Sequence, residues 1–320
     1  MMPARRHATA IAVLAIGLSA LGVVACAPAI DPDVLFGRLG SPDFETRQEA
    51  AEKVEELIQK NQYDVFVRGL KSANLLYRAQ AMVYLGRMKA PQAHLAVREL
   101  LALDRRMMLR YNPIRFKPQP EETDSRILAA TLIQRAGGDP EAIKVLLAGI
   151  DENQSVEILS GTCFAVGALR DPAGLPFLET TSRRPEVPLV RAALEAAGQF
   201  SQPEAFAILA SLVAHDSPEV RADVLSSFSS RHDEAVLQLL EQVGQKDPSD
   251  DLREVAYRSL TQYKPPQVVP YLIERLKDAS IATRPAILET LGQLTGQTLG
   301  ASHDAWARWW AKNGAGLAAR

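Results

Sequence analysis

"HDSPEVRADVLSSF", residues 215–228, runs from an acidic turn into Val220-Arg221 and then into spaced apolar residues. The same arrangement returns in "SANLLYRAQAMVYLGRM" (72–88) and "PSDDLREVAYRSL" (248–260). Aligning units at Arg47, Arg78, Arg126, Leu159, Arg191, Arg221, Arg253 and Arg284 gives steps of 31, 48, 33, 32, 30, 32 and 31 residues. A recurring step of this size marks stacked supersecondary units. Apolar residues recur three, four and seven places after the anchor: Ala50, Ala51 and Val54; Ala81, Met82 and Leu85; Ala256, Tyr257 and Leu260; Ile287, Leu288 and Leu291. That spacing is one face of a helix. The fifth unit slips by one residue, so Val190, Ala193, Leu194 and Ala197 carry its face.

A second landmark follows twelve to fourteen residues later, at Pro91, Pro140, Pro172, Pro203 and Pro266, with Glu234 in that place once. Proline suits a first helical position because its missing N–H would be unpaired there, and Asp139 and Asp171 precede two of them as N-caps. Each unit is therefore two short helices. Neither buries its apolar face alone, so neighbouring pairs must stack into an all-α solenoid. Abundant Ala and Leu and few aromatic residues agree with helix.

These segments resemble bacterial HEAT repeats of the phycobilisome-lyase type, whose signature is an acidic turn, then Val-Arg, then spaced Ala and Leu ending in Leu-Gly. The resemblance spans most of 41–297 and implies a right-handed α-solenoid of about eight helix pairs. It also implies that the arginines hydrogen-bond turns of neighbouring repeats as a structural ladder, at Arg47, Arg78, Arg126, Arg191, Arg221, Arg253 and Arg284. Leu159 departs from that pattern. The tail, 298–320, is similar to the Trp-rich ending of other bacterial HEAT-repeat proteins. Trp306, Trp309 and Trp310 fall at helical spacing with Ser302 placed to cap, and are expected to close the exposed end of the core.

At the other end, Arg5 and Arg6 precede an uncharged run from Ala8 to Ala25. A basic segment followed by an apolar one is a signal-peptide pattern, although the run is also near the lower length for a membrane anchor. Val23-Val24-Ala25-Cys26 resembles the bacterial lipobox. That resemblance implies cleavage after residue 25, lipidation of Cys26 with fatty acyl chains such as palmitate, and a periplasm-facing protein held on the membrane by its lipid. Ala27, rather than Asp, favours the outer over the inner membrane. Residues 26–40 are expected to be a lipidated tether, since Pro28 and Pro32 discourage helix.

The chain has formal charge −2; losing residues 1–25 removes Arg5 and Arg6 and no acid, leaving about −4. No nucleic-acid partner is expected, and a DNA-binding repeat module is disfavoured. Besides Cys26 the only cysteine is Cys163. It aligns with core positions four after the anchor and reads as a buried thiol. His94, His215, His232 and His303 lie in different units and form no spaced ligand pair. "RHDE", with His232, Asp233 and Glu234, reads as an N-cap. The repeated His-Glu pairs of HEAT-fold metal hydroxylases are absent, as are phosphate loops, dinucleotide fingerprints and zinc spacings. No catalytic residue, metal, cofactor or small-molecule substrate is expected. The alternative class is an enzyme or accessory lyase acting on a chromophore or other small molecule, as some relatives of this repeat type do.

The step of 48 inserts residues at about 104–124, where Arg105, Arg106, Arg110, Arg115 and Lys117 occur with no acid between them, interleaved with Met107, Met108, Tyr111 and Phe116. Insertions in repeat arrays project on one face. Arg105, Arg106, Arg110, Tyr111, Arg115, Phe116 and Lys117 are therefore candidates for contacting an anionic partner, against the alternative of a solvated loop. Neutralising the five charges is expected to leave folding intact. The sequence reads as a non-catalytic scaffold of the cell envelope that binds a protein partner whose identity is not encoded in the repeat.

Overall fold

A computed structural model describes residues 30–110 and 122–318. Among them are 17 α-helices and two strands of two residues each. Cys26 and Pro28 lie outside the described residues, as do Tyr111, Arg115, Phe116 and Lys117.

The chain enters through α1 (Pro32–Leu39), and eight helix pairs follow: α2 (Phe44–Gln59) with α3 (Asp64–Gly69), α4 (Leu75–Arg87) with α5 (Pro91–Glu99), α6 (Ser125–Arg135) with α7 (Ala142–Leu147), and α8 (Val156–Leu169) with α9 (Leu175–Ser182). Next come α10 (Val187–Ala197) with α11 (Pro203–Ser211), α12 (Pro218–Ser227) with α13 (Glu234–Lys246), α14 (Asp250–Ser259) with α15 (Pro265–Arg275), and α16 (Arg284–Thr295) with the terminal α17 (His303–Ala318). Each anchor residue falls in the first helix of its pair. One hydrophobic core runs from Leu35 to Trp306. The fold is an all-α solenoid.

Helix starts follow cap chemistry. Asp43, Asn74, Ser155, Ser217, Asp233 and Ser249 each accept a hydrogen bond from an N–H of the first turn of the following helix. Pro91 and Pro203 open α5 and α11. The other prolines depart slightly from expectation: Pro140 sits two residues before α7, Pro172 opens a 3₁₀ turn ahead of α9, and Pro266 is second in α15 behind Pro265.

Two expectations are corrected. The segment 26–40 is not tether throughout, because Pro32 occupies the first position of α1, where its fixed φ favours helix, and Asp31 accepts from Asp33 N–H at 2.9 Å. Phe36, fully buried, packs with Phe66 and Tyr84 at ring separations of 6.4 and 6.0 Å. Gly69 makes room for it, since a Cβ there would stand 2.7 Å from the Phe36 ring. In the first unit, Ala51 is exposed, and Leu57 joins Ala50 and Val54 on the buried face.

The inserted segment is rooted in a small ribbon. β1 (Met108–Leu109) pairs antiparallel with β2 (Thr123–Asp124), Met108 opposite Asp124 and Leu109 opposite Thr123. Leu109 is fully buried, and Arg110 N–H donates to the Leu75 carbonyl of α4 at 3.5 Å.

At the far end Gly296, in the left-handed region at φ 70°, ends α16, and Gly300 at φ 68° redirects the chain. Ser302 accepts from Ala305 N–H at 3.3 Å at the start of α17. Trp306 is buried and its indole N–H donates to Gly300 O at 2.8 Å. Trp309 and Trp310 are half-buried; Trp309 stands edge-on to Trp306 with 6.3 Å between ring centroids.

Candidate interaction surfaces

The base of the insertion carries the most buried charge. Arg126, with no exposed surface, donates to both oxygens of Asp124, to Thr162 Oγ1 at 2.8 Å and to the Ile158 carbonyl at 2.9 Å. Arg106 reaches the same carboxylate at 2.8 Å and also pairs with Glu157. The insertion, the third pair and the fourth are thus tied through one carboxylate. Gly161 is required beside it, because a Cβ there would lie 2.6 Å from Asp124 Oδ2. Burial alone would push the Asp124 carboxyl up, but the hydrogen bonds and charge of Arg126, joined by Arg106, outweigh it and hold it below the usual range.

This geometry divides the candidate binding residues. Arg106 is a clamp, with its charge matched by Asp124 and Glu157. That corrects the expectation that all five basic side chains can be neutralised without affecting folding. Arg110 is exposed, and the side chain of Arg105 is exposed with Asp104 3.9 Å away. The sequence offered no acid between Arg105 and Lys117; the acid that matters lies beyond that window, and Glu157 a repeat further on.

The arginine positions behave in two ways. Arg126, Arg191 and Arg221 reach the following repeat. Arg191 pairs with Asp223 at 2.5 Å, and Arg221 binds Asp247 through Nε at 2.8 Å and Nη2 at 3.1 Å while also donating to the His215 and Asp216 carbonyls. Arg47, Arg78 and Arg284 instead donate to carbonyls of their own preceding turns, at Ser41 and Pro42, Ser72, and Ala279, while Arg253 pairs with Asp250 three residues before it. A ladder between repeats therefore exists at three of the seven positions. At Leu159, which is buried in the core, the turn is served from the other side, since Arg184 donates to the Glu152 carbonyl at 3.0 Å.

The other reactive side chains are spoken for locally. Cys163 is fully buried, and burial pushes its thiol up to about 12, so it is protonated and inert at ordinary pH. His94 bonds the Met88 carbonyl at 2.6 Å, His215 accepts from Ser217 N–H at 3.0 Å, His232 lies edge-on to Tyr263, and His303 bridges Asp304 at 2.9 Å and Glu274 at 3.6 Å. Asp233 caps α13 by accepting from Val236 N–H at 3.1 Å. Among the described residues, no group of three or more His, Cys, Asp or Glu side chains is placed to hold a metal, and no helix is long and apolar enough to cross a membrane.

No curated protein matches the sequence. Among solved structures, the chain is similar to YibA of Escherichia coli (17% identity, 84% of this chain and 93% of that one, TM-score 0.41). It is also similar to the CpcE–CpcF complex of phycocyanin lyase from Nostoc (16%, 87% and 100%, TM-score 0.34) and to human deoxyhypusine hydroxylase (16%, 83% and 96%, TM-score 0.34). By sequence, residues 191–261 and 244–305 match the family of HEAT repeats. The matched stretch carries HEAT repeats from α10 into α17, and the helix pairs before it repeat the same two-helix build.

Proposed function

We propose that the protein is a lipid-anchored scaffold of the bacterial cell envelope, outer membrane favoured, that binds a protein partner through its helical-repeat surface without catalysing a reaction. The observation that carries this reading is the unbroken array: eight stacked helix pairs on one core present an extended face, the surface repeat arrays use for recognition. Anchoring rests on Val23-Val24-Ala25-Cys26 and the apolar run before it. α1 begins six residues after Cys26, which leaves a leash of about 20 Å at full extension between lipid and array. Among the described residues, Arg105 and Arg110, exposed on a segment rooted by Arg106 and β1, are the basic contacts available to an anionic site on the partner, and Arg115 and Lys117, outside those residues, stay candidates beside them.

Two measurements test the reading. Mass spectrometry of the protein from cells should find residue 26 as the first residue, carrying acyl chains; an unmodified Cys26 thiol or an intact residue 1 overturns the anchor. Crosslinking in intact cells should capture one discrete envelope protein, and Arg105→Ser with Arg110→Ser should reduce that capture while leaving the melting temperature unchanged, since exposed substitutions usually shift stability by about 0.5 kcal/mol or less. Undiminished capture by the double variant removes Arg105 and Arg110 from the interface. Turnover of a small molecule by the purified protein overturns the scaffold.

A further inference from the structure

The first helix of the fifth pair, α10, is alanine-rich, and Ala192, Ala193, Ala196 and Ala197 are all buried. It lies so close to α8 that a Cβ on Gly167 would stand 2.9 Å from Ala196 Cα. Small side chains leave space that larger ones would fill, and a groove of about 650 Å³ opens over α10 between α8 and α12. Its volume is that of a ligand-binding cleft. The half-buried Phe164 of α8 supplies an aromatic surface, and Ala192 and Gly198 leave the backbone of α10 approachable. Polar clasps mark both ends of the helix: Arg191 to Asp223 at 2.5 Å near its start, and Arg170 to Gln199 at 3.2 Å just past its end.

Glu195 lies on α10 between these clasps. It is exposed, lines the groove, and makes no ion pair among the described residues. Arg191 is the single cation in the lining and is already engaged by Asp223, so one arginine against two carboxylates leaves the groove negative. Within the lining an anionic ligand would meet Glu195 and Asp223, while Arg170, outside the lining, is held on Gln199 at its end. A cation beside an apolar group meets complementary charge and an aromatic surface together.

We infer that this groove is a docking site for an extended segment of a partner protein bearing a lysine or arginine next to an apolar side chain, with the cation on Glu195 and the apolar group against Phe164. The inference rests on the reading that the chain binds a protein, and it names a different surface from the basic insertion. Gly198 offers a clean way to close the groove. Its φ is −60°, and the nearest atoms to an added Cβ are the Glu195 carbonyl oxygen at 3.4 Å and the Leu194 carbonyl oxygen at 3.6 Å, both ordinary contacts.

The test is fluorescence anisotropy on the full chain, purified in detergent, with three labelled probes: an alternating lysine–phenylalanine hexapeptide, its glutamate–phenylalanine counterpart, and a neutral chitohexaose. The lysine peptide should bind and weaken as salt rises. Glu195→Lys should lower its affinity about tenfold or more, as reversal of an interfacial charge does. Gly198→Leu should block it with unchanged helicity. Equal or tighter binding of the glutamate peptide, binding of the oligosaccharide alone, no binding of the lysine peptide at millimolar concentration, or unaltered affinity in both variants overturns the proposal. If cells still yield a captured partner that Gly198→Leu does not reduce, the scaffold stands and the groove is not its docking site.

Discussion

Asp124 is the smallest unit on which the architecture depends. Its carboxylate receives two guanidiniums, one of them, Arg126, fully buried. Removing one member of a buried ion pair costs about 3–5 kcal/mol because the other is left uncompensated. Asp124→Asn should therefore lower the denaturation midpoint far more than neutralising the exposed Arg105, and chemical denaturation of the two variants compares them directly. The pH dependence has a definite sign. A carboxyl held below its unfolded value stabilises the fold above that value, about 3.9, and the contribution is lost as pH falls through the lower folded value. Acid titration of the wild type should show a stability loss at the low-pH end that Asp124→Asn lacks. Arg126 was legible as structural from its place in the repeat. Its partners were not, since Asp124 belongs to the end of an irregular insertion and Thr162 and Ile158 to the next unit, and only stacking of the pairs brings them together.

The helix pairs were legible for a simple reason: eight anchors, six of their seven steps between 30 and 33 residues and most followed by apolar residues three, four and seven places on, leave little freedom of interpretation. The failures sit where one residue carries two meanings. Pro32 breaks a helix from within but favours one from its first position, and what decides between these is Phe36, whose burial against Phe66 and Tyr84 cannot be read locally. The two-residue strands β1 and β2 are too short to show an alternating pattern at all. α1 is thus an element held by tertiary packing, and most helical stability in proteins has that origin. Phe36→Ala should cost about 3–5 kcal/mol and free α1 from the array. Hydrogen exchange should then accelerate over Pro32–Leu39 before it does in α6 or α8, and uniform exchange across all three would contradict this account.

At the scale of the molecule, stability is close to a sum of repeat terms and nearest-neighbour interfaces. Excising residues 221–252 in register should leave a shorter helical array by circular dichroism. Ending the chain before Thr298 should expose the surface that Trp306 covers and promote aggregation at concentrations where the full chain stays monodisperse. The joints between repeats, however, are unequal. Arg126 and Arg221 join the third pair to the fourth and the sixth to the seventh from positions shielded from solvent, and α8 meets α10 backbone to backbone at Gly167. The joint between the fifth and sixth pairs is spanned by Arg191 and Asp223, whose side chains are 50% and 33% exposed. Mobile ions screen an exposed pair and hardly reach a buried one. In mechanical terms the solenoid is a beam whose joints differ, and those spanned by exposed pairs, here and at Arg87–Glu55 and Arg258–Glu289, are the ones salt is expected to loosen. Spin labels at Ser160 and Ser226 should give a distance distribution that broadens in 1 M salt, where the screening length is about 3 Å, while labels across the joint of Arg126 keep theirs. The groove over α10 is lined from both sides of one such joint, so bending there is expected to change the width of the cleft.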